Sequence, residues 1–329
     1  MKLSRTLRTL GRGIKLVARV AKAKLAPDVP ARLQCPSAAA SRTVTCSNFG
    51  DNPGRLKMLA HLPPDVAGRP LVVLLHGCGQ NALAFAADTG WTAVADRLRV
   101  PLILPEQMEA NNAARCFQWF RPSDTTRDAG EAGSIAAMTR TAITRLQSDP
   151  RRIFIVGLSA GGAMAAAMLA AYPELFAAGA SLAGLPVGAA HSGMEAMLRM
   201  ASASLDQAPE SLAKRVRAAA PAGFAGPWPR LSIWHGLADR TVAPKNASLL
   251  ATQWRAVHGL TDAVLVETEH DGVRHRSWSD GHIPQVDLWS LPRMPHGYPV
   301  GHTAAEPARF MHQAPVDATA SIARFFGLS

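Results

Sequence analysis

The stretch IFIVGLSAGGAMAAAMLAAY at residues 153–172 decides the fold. Its first four residues are apolar and β-rich, as in a strand buried on both faces, and from residue 163 an Ala/Met/Leu run stopped by Pro173 reads as a helix. Between them stands Gly157-Leu158-Ser159-Ala160-Gly161. A strand that turns abruptly into a helix forces its junction residue into a strained backbone, and glycine on either side lets neighbouring backbone pass without a Cβ collision. Ser159 is therefore expected to stand out on the bend. The helix behind it aims free N–H groups and a positive dipole end at that spot, so the Ala160 amide can stabilise a developing oxyanion. A bare Gly-x-Ser-x-Gly also arises by chance in a chain rich in Gly, Ala and Ser; the strand before it and the helix after it give it weight.

Outward from this junction, from residue 56 onward, short β-rich apolar runs alternate with helical stretches. That is the pattern of an α/β protein with a mainly parallel sheet covered on both faces. Strands are expected at 71–75, 102–104, 153–156, 176–183 and 231–234, and extended segments at 264–266, 274–278 and 286–288. Helices are expected at 91–99, 133–147, 163–172, 247–258 and 321–326. The division that follows is a basic segment at 1–27, a lead-in at 28–55 and one catalytic-sized domain at 56–329.

A serine hydroxyl is a poor nucleophile at neutral pH, so Ser159 requires a histidine base and an orienting carboxylate later in the chain. The strand at 231–234 runs into His235-Gly236-Leu237-Ala238-Asp239, which puts Asp239 in a loop beyond a strand's carboxyl end, where an orienting acid belongs. Asp262, in a turn before the next strand, fits less well. The strand at 286–288 leads to Met294-Pro295-His296-Gly297, and His296 is the expected base, with His302 close enough in sequence to compete. The second oxyanion donor is expected from the turn His76-Gly77-Cys78-Gly79, through the Cys78 amide. His76 and His235, each in a strand-terminal His-Gly pair, read as turn-fixing residues. His270, His275 and His282 match no metal-ligand spacing and read as a polar hairpin.

Composition agrees with a folded enzyme of this kind. Of 329 residues, 48% are apolar and 18% charged, which supports a large core. No apolar run reaches the roughly 18 residues of a membrane span without a charge or a proline. The net charge of +11 would suggest nucleic acid, but eight basic residues precede the first acid, Asp28, and the remainder is nearly balanced, so no nucleic-acid partner is expected. Cys35, Cys46, Cys78 and Cys116 lack the CxxC spacing of a zinc or redox site. Two disulfides are open to them in an oxidising compartment.

On a wheel of about 100° per residue, Leu3, Leu7, Leu10, Ile14, Val17, Ala21 and Leu25 share one face of the segment 1–27, opposite most of its cations. A Lys or Arg intrudes every few positions, so the segment lacks the uninterrupted stretch of about 7 to 15 apolar residues of a secretory signal. An anionic membrane or granule surface suits it, as does a solvated tail. A competing reading makes this segment the functional element and the domain a non-catalytic scaffold.

Six stretches together carry a resemblance: HGCGQNA at His76, PEQMEANN at Pro105, CFQWF at Cys116, GLSAGGAMAA at Gly157, WHGLADRTVAP at Trp234 and MPHGYPV at Met294. In this order the chain resembles the poly(3-hydroxybutyrate) depolymerase family of esterases, over roughly residues 56–328. The resemblance implies the α/β-hydrolase fold, similarity to feruloyl and acetylxylan esterases, and carboxylic-ester hydrolysis without a cofactor or metal. It implies Ser159, Asp239 and His296 as the triad. It further implies a Cys78–Cys116 disulfide tying the oxyanion loop to Phe117, Trp119 and Phe120, with Trp119 either lining an acyl or alcohol pocket or belonging to the core. Relatives of this type often carry a cysteine after Gly184-Leu185-Pro186 and another after the histidine; this chain has neither, so a looser His296 loop is expected. With no adsorption module recognised, hydroxyalkanoate oligomers, small esters or amorphous granule material are the expected substrates, with feruloyl or acetylxylan-type carbohydrate esters as the alternative. An extracellular or periplasmic location is expected, with a cytoplasmic or granule-associated one as the alternative.

Overall fold

The computed structural model describes residues 42–204, 208–260, 262–302 and 306–328. The basic segment at 1–27, with the surface role expected of it, and Cys35 lie outside these residues.

The runs that read as continuous apolar strands do so because they are covered on both faces. Strand β3 (Leu71–Leu75) follows β1 (Thr43–Cys46) and β2 (Lys57–His61), and is followed by β4 (Leu102–Glu106), β5 (Ile153–Leu158), β6 (Ala178–Leu182), β7 (Arg230–Gly236), β8 (Leu265–His270), β9 (Val273–Asp280) and β10 (Ile283–Leu291). These strands form one sheet in the order β1-β2-β4-β3-β5-β6-β7-β10-β9-β8. From β4 to β10 every pairing is parallel, and antiparallel pairings add β2 and β1 at one side and β9 and β8 at the other. Every residue of β3, β5 and β6 is buried, as parallel strands between two helical layers must be. Strand β1 comes from residues the sequence reading set apart as a lead-in.

The helices are α1 (Ala82–Asp88), α2 (Trp91–Leu98), α3 (Pro122–Thr125), α4 (Gly130–Leu146), α5 (Ala160–Ala171), α6 (Gly193–Ser202), α7 (Pro209–Ala219), α8 (Lys245–Val257) and α9 (Ala318–Phe325). Residues of α4, α5, α7 and α8 share one apolar core with one face of the sheet, and residues of α1, α2 and α9 share another with the opposite face. In the second, Phe326 stacks on Phe154 at 4.5 Å between centroids. All twelve residues of α5 are buried, so the helix is apolar all round and needs small side chains to lie against the sheet. It begins at Ala160, three residues before the expected start, because packing overrides the weak helix propensity of Gly161 and Gly162. Among the described residues no helix is long and apolar enough to cross a membrane.

The parallel strands all end at one edge. The chain leaves β3 through His76 to Gly79, β5 through Ser159, β7 through Leu237 to Val242 and β10 through Pro292 to Gly297, so four loops distant in sequence share one rim. This rim is where ligands bind in open α/β sheets.

Candidate active site

Ser159 has φ 57° and ψ −116°, in the left-handed half of the map that a side chain with a Cβ rarely adopts. Its own N–H donates to the Leu182 carbonyl at 2.8 Å, which pins the bend to the end of β6. A Cβ on Gly157 would collide with the Gly161 carbonyl, and one on Gly161 would collide with the carbonyls of Leu75 and His76. The two outer residues of the motif are thus glycines because the first turn of α5 presses against β5 and against the end of β3. That close approach brings the start of α5 beside the loop that holds Cys78.

The loops after β7 and β10 are laced together. Leu237 N–H donates to the Leu291 carbonyl at 2.8 Å and Ala238 N–H to the Met294 carbonyl at 3.1 Å, while a Cβ on Gly236 would strike the Met294 carbonyl. Asp239 is thereby held under His296. Its Oδ1 accepts the amides of Thr241 and Val242, each at 2.8 Å, and its Oδ2 lies 2.7 Å from His296 Nδ1. His235 Nε2 approaches the same Oδ2 at 3.2 Å and the Val242 carbonyl at 2.9 Å. Burial pushes the Asp239 carboxyl up, but hydrogen bonds from His235, His296 and the Val242 amide outweigh it and hold the group well below the usual carboxylate range.

His296 Nε2 lies 2.9 Å from Ser159 Oγ. Since Asp239 can only accept, Nδ1 carries the proton and Nε2 is the acceptor for the serine hydroxyl. The loop expected to be loose without extra cysteines is fastened by other means. Strands β11 (Tyr298–Val300) and β12 (Met311–Gln313) pair in parallel directly after it, and His312 Nε2 donates to the His296 carbonyl at 3.1 Å. The Tyr298 hydroxyl, fully buried, accepts from Trp91 Nε1 at 3.1 Å and pairs with Thr319 Oγ1 at 2.7 Å.

Ser159 and His296 open into a cavity of about 350 Å³ whose walls include Leu158, Met200 and Phe310, with Cys78, Gln80 and Thr241 at its other sides. Cys78 is disulfide-bonded to Cys116, and its backbone N–H has no acceptor among the described residues. Ala160 opens α5, where first-turn amides have no partner inside the helix. The arrangement offers a hydroxyl backed by an imidazole and a carboxylate, together with two spare amides: the parts needed for acyl transfer.

Trp119 lies elsewhere than at this cavity. It is buried in the core against Phe120 and borders a separate cavity of about 380 Å³ with Ala163, Ala167 and Val187. Asp262 follows α8, where its charge acts on Arg255, and His302 is exposed beyond β11. His275 stacks on Trp289 at 3.9 Å and faces Asp287, and His270 is exposed beside Asp271. Buried His76, whose protonated form is disfavoured by desolvation, contacts the Gly77 carbonyl at 2.8 Å and so fixes its own turn. Sequence reasoning assigned no role to Met200, Phe310 or Gln80. Gln80 stood in a quoted motif, whereas the other two reach the cavity from elements remote in the chain.

The family model described as esterase PHB depolymerase matches residues 56–274. Over 256 residues the chain is 39% identical to "Poly(3-hydroxyalkanoate) depolymerase C" of Paucimonas lemoignei, covering 77% of this chain and 61% of that protein. Over 286 residues it is 31% identical to "Acetylxylan esterase" of Coprinopsis cinerea, covering 84% of this chain and 72% of that protein. The solved structure titled "Acetyl xylan esterase from Aspergillus awamori" superposes with a TM-score of 0.74 at 23% identity, over 87% of this chain and 99% of its own, and so shares the fold.

Proposed function

The chain belongs to the PHB depolymerase family of esterases, and from that premise we propose that it hydrolyses carboxylic esters through an acyl-enzyme on Ser159. The observation that carries this reading is His296, whose two ring nitrogens lie 2.9 Å from Ser159 Oγ and 2.7 Å from Asp239 Oδ2. His296 Nε2 takes the hydroxyl proton as Oγ attacks the ester carbonyl, while Asp239 holds the ring and stabilises the imidazolium. The oxyanion draws hydrogen bonds from the amides of Cys78 and Ala160. As the tetrahedral intermediate collapses, His296 passes its proton to the departing alcohol. Water then attacks the acyl carbonyl by the same route and frees the acid and Ser159.

Esters of hydroxyalkanoates are the proposed substrates, supported by the 39% identity to the polyhydroxyalkanoate depolymerase and by the apolar walls of Leu158, Met200 and Phe310. A second reading, acetyl or feruloyl esters of carbohydrates, draws on the relatives titled acetylxylan esterase and feruloyl esterase B. The Cys78–Cys116 disulfide favours work in an oxidising compartment.

The test is hydrolysis of a panel of hydroxybutyrate oligomers, feruloyl esters and acetylated xylan by the wild type and by Ser159→Ala. Wild-type turnover highest on the oligomers, lowered about 10⁶-fold by the substitution, is the expected result. Preference for acetylated xylan transfers the substrate to the second reading, and turnover unaffected by the substitution contradicts the hydrolase reading.

A further inference from the structure

Behind the loop that carries the Cys78 amide lies a set of buried polar groups that the proposed acyl transfer leaves unused. Glu131 in the first turn of α4 and Gln107 just past β4 are each 1% exposed. Glu131 Oε2 accepts the Gln118 amide at 2.8 Å, and Glu131 Oε1 accepts from Gln107 Nε2. Gln107 Nε2 also donates to the Cys116 carbonyl at 3.2 Å. The side-chain oxygen of Gln107 accepts from Met108 N–H at 3.0 Å and from Asn111 Nδ2 at 2.9 Å, so the amide nitrogen has to face Glu131.

The same residue reaches the oxyanion loop by a second route. Gln107 backbone N–H donates to His76 Nε2 at 3.1 Å, which leaves His76 Nδ1–H for the Gly77 carbonyl at 2.8 Å. Gly79 N–H donates to the Ala114 carbonyl at 2.7 Å, and Cys78 itself is bonded to Cys116. The residues on both sides of Cys78, and Cys78 through its sulfur, thus hang on a platform formed by Gln107 and the segment ending at Gln118. Two donors from that platform converge on Glu131. Each branch of Glu131 ends in an oxygen that can accept a hydrogen bond, with or without a proton on the acid, so both donors are met, whereas glutamine can satisfy one and alanine neither.

We propose that Glu131 is a positioning residue for the oxyanion loop: by holding Gln107 and the Gln118 backbone in register, it sets where the Cys78 N–H points. This rests on the reading of that N–H as an oxyanion donor. An acid buried for stability alone would alter melting and leave the chemistry unchanged. A positioning side chain alters turnover more than substrate affinity, because the apolar walls Leu158, Met200 and Phe310 belong to other elements and only Gly77, Cys78 and Gln80 of the lining lie on the loop it holds.

The test uses the full chain and Glu131→Gln, with p-nitrophenyl butyrate as substrate and butylboronic acid, which adds to a serine oxygen as a tetrahedral adduct, as inhibitor. The expected result is a kcat lowered about 10- to 100-fold, up to the lower range for loss of one oxyanion donor, with KM changed less than about threefold. Boronate affinity is expected to weaken in parallel with kcat/KM. If Glu131→Gln does not fold, Asn111→Ala, which frees the Gln107 amide to rotate, is expected to lower kcat and boronate affinity together by a smaller factor. A folded variant with wild-type kcat and boronate affinity, whatever its melting temperature, overturns the proposal. Ser159→Ala measured alongside separates the two failures, since full turnover there removes the hydrolase reading itself.

Discussion

Asp239 Oδ2 is shared by two imidazoles, His296 Nδ1 at 2.7 Å and His235 Nε2 at 3.2 Å, so the carboxylate proposed to orient His296 is anchored from its own strand end as well as by His296. Its Oδ1 meanwhile accepts two backbone amides. A carboxylate with this many donors is held in one orientation, and in its charged form.

Asp239→Asn keeps the shape and removes the charge that keeps a proton on His296 Nδ1. Turnover of a p-nitrophenyl ester is expected to fall about 10⁴-fold with the fold intact, as for the equivalent change in a serine triad. Because folding depresses the Asp239 pKa, its stabilisation is complete above the ordinary carboxylate range and is lost as pH falls through that range toward the folded-state value. Urea denaturation at a series of pH values should show the stability gap between wild type and variant narrowing below about pH 4. A gap constant down to pH 2 contradicts this.

Glu131 has the opposite sign. Burial is the main cause that pushes it up from 4.5 to about 8, against the opposing hydrogen bond from the Gln118 amide, with Asp124 raising it further and Gln107 and Arg121 lowering it. Folding therefore takes up a proton, and the associated stabilisation is complete below about pH 4.5 and is lost as pH rises through about 8. The wild type should lose on the order of a few kcal/mol between pH 5 and pH 9 by denaturant titration, and Glu131→Gln should show a flatter profile. Equal slopes in both proteins contradict the assignment.

The Cys78–Cys116 bond joins residues 38 positions apart in the chain. Replacing both cysteines by serine is expected to cost about 4 kcal/mol by the chain-entropy relation, measured by thermal or urea unfolding. Because the bond also ties down the loop bearing the Cys78 amide, turnover should fall as well. A double variant with unchanged stability and turnover would show the bond to be dispensable on both counts.

Gly161→Ala directs a methyl group into the carbonyl oxygens of Leu75 and His76. The start of α5 must then retreat from the end of β3, at a cost of about 2 to 3 kcal/mol, typical of overpacking. Melting temperature and kcat are both expected to drop, since the shift separates the Ala160 and Cys78 amides. Wild-type values for both would mean that the close approach is not needed.

What could be read from the sequence was local. The apolar run, the glycines around Ser159 and the Ala-rich helix lie within twenty consecutive residues, and Asp239 and His296 each follow an apolar strand closely. Each signal therefore survives without knowledge of the rest of the fold. Trp119 gives no such signal, because an aromatic side chain fills a pocket or a core according to packing decided by distant elements, here α5 and the segment around Val187. Glu131 reads as an ordinary acid at a helix start, and its burial depends on Gln107 and Gln118 arriving from separate loops. Strand β1 is four residues long with one fully buried position, too short for its pattern to register. The cysteine pairing came from the family resemblance.

The most direct measurement is covalent labelling of the purified full chain with a fluorophosphonate, followed by intact mass and peptide mapping. Stoichiometric addition of one label at Ser159, abolished in Ser159→Ala and slowed at least about 10³-fold in His296→Ala, is the expected result. A folded protein that takes up no label at Ser159, or that labels there equally fast without His296, would contradict the convergence of Ser159, His296 and Asp239 into one catalytic unit.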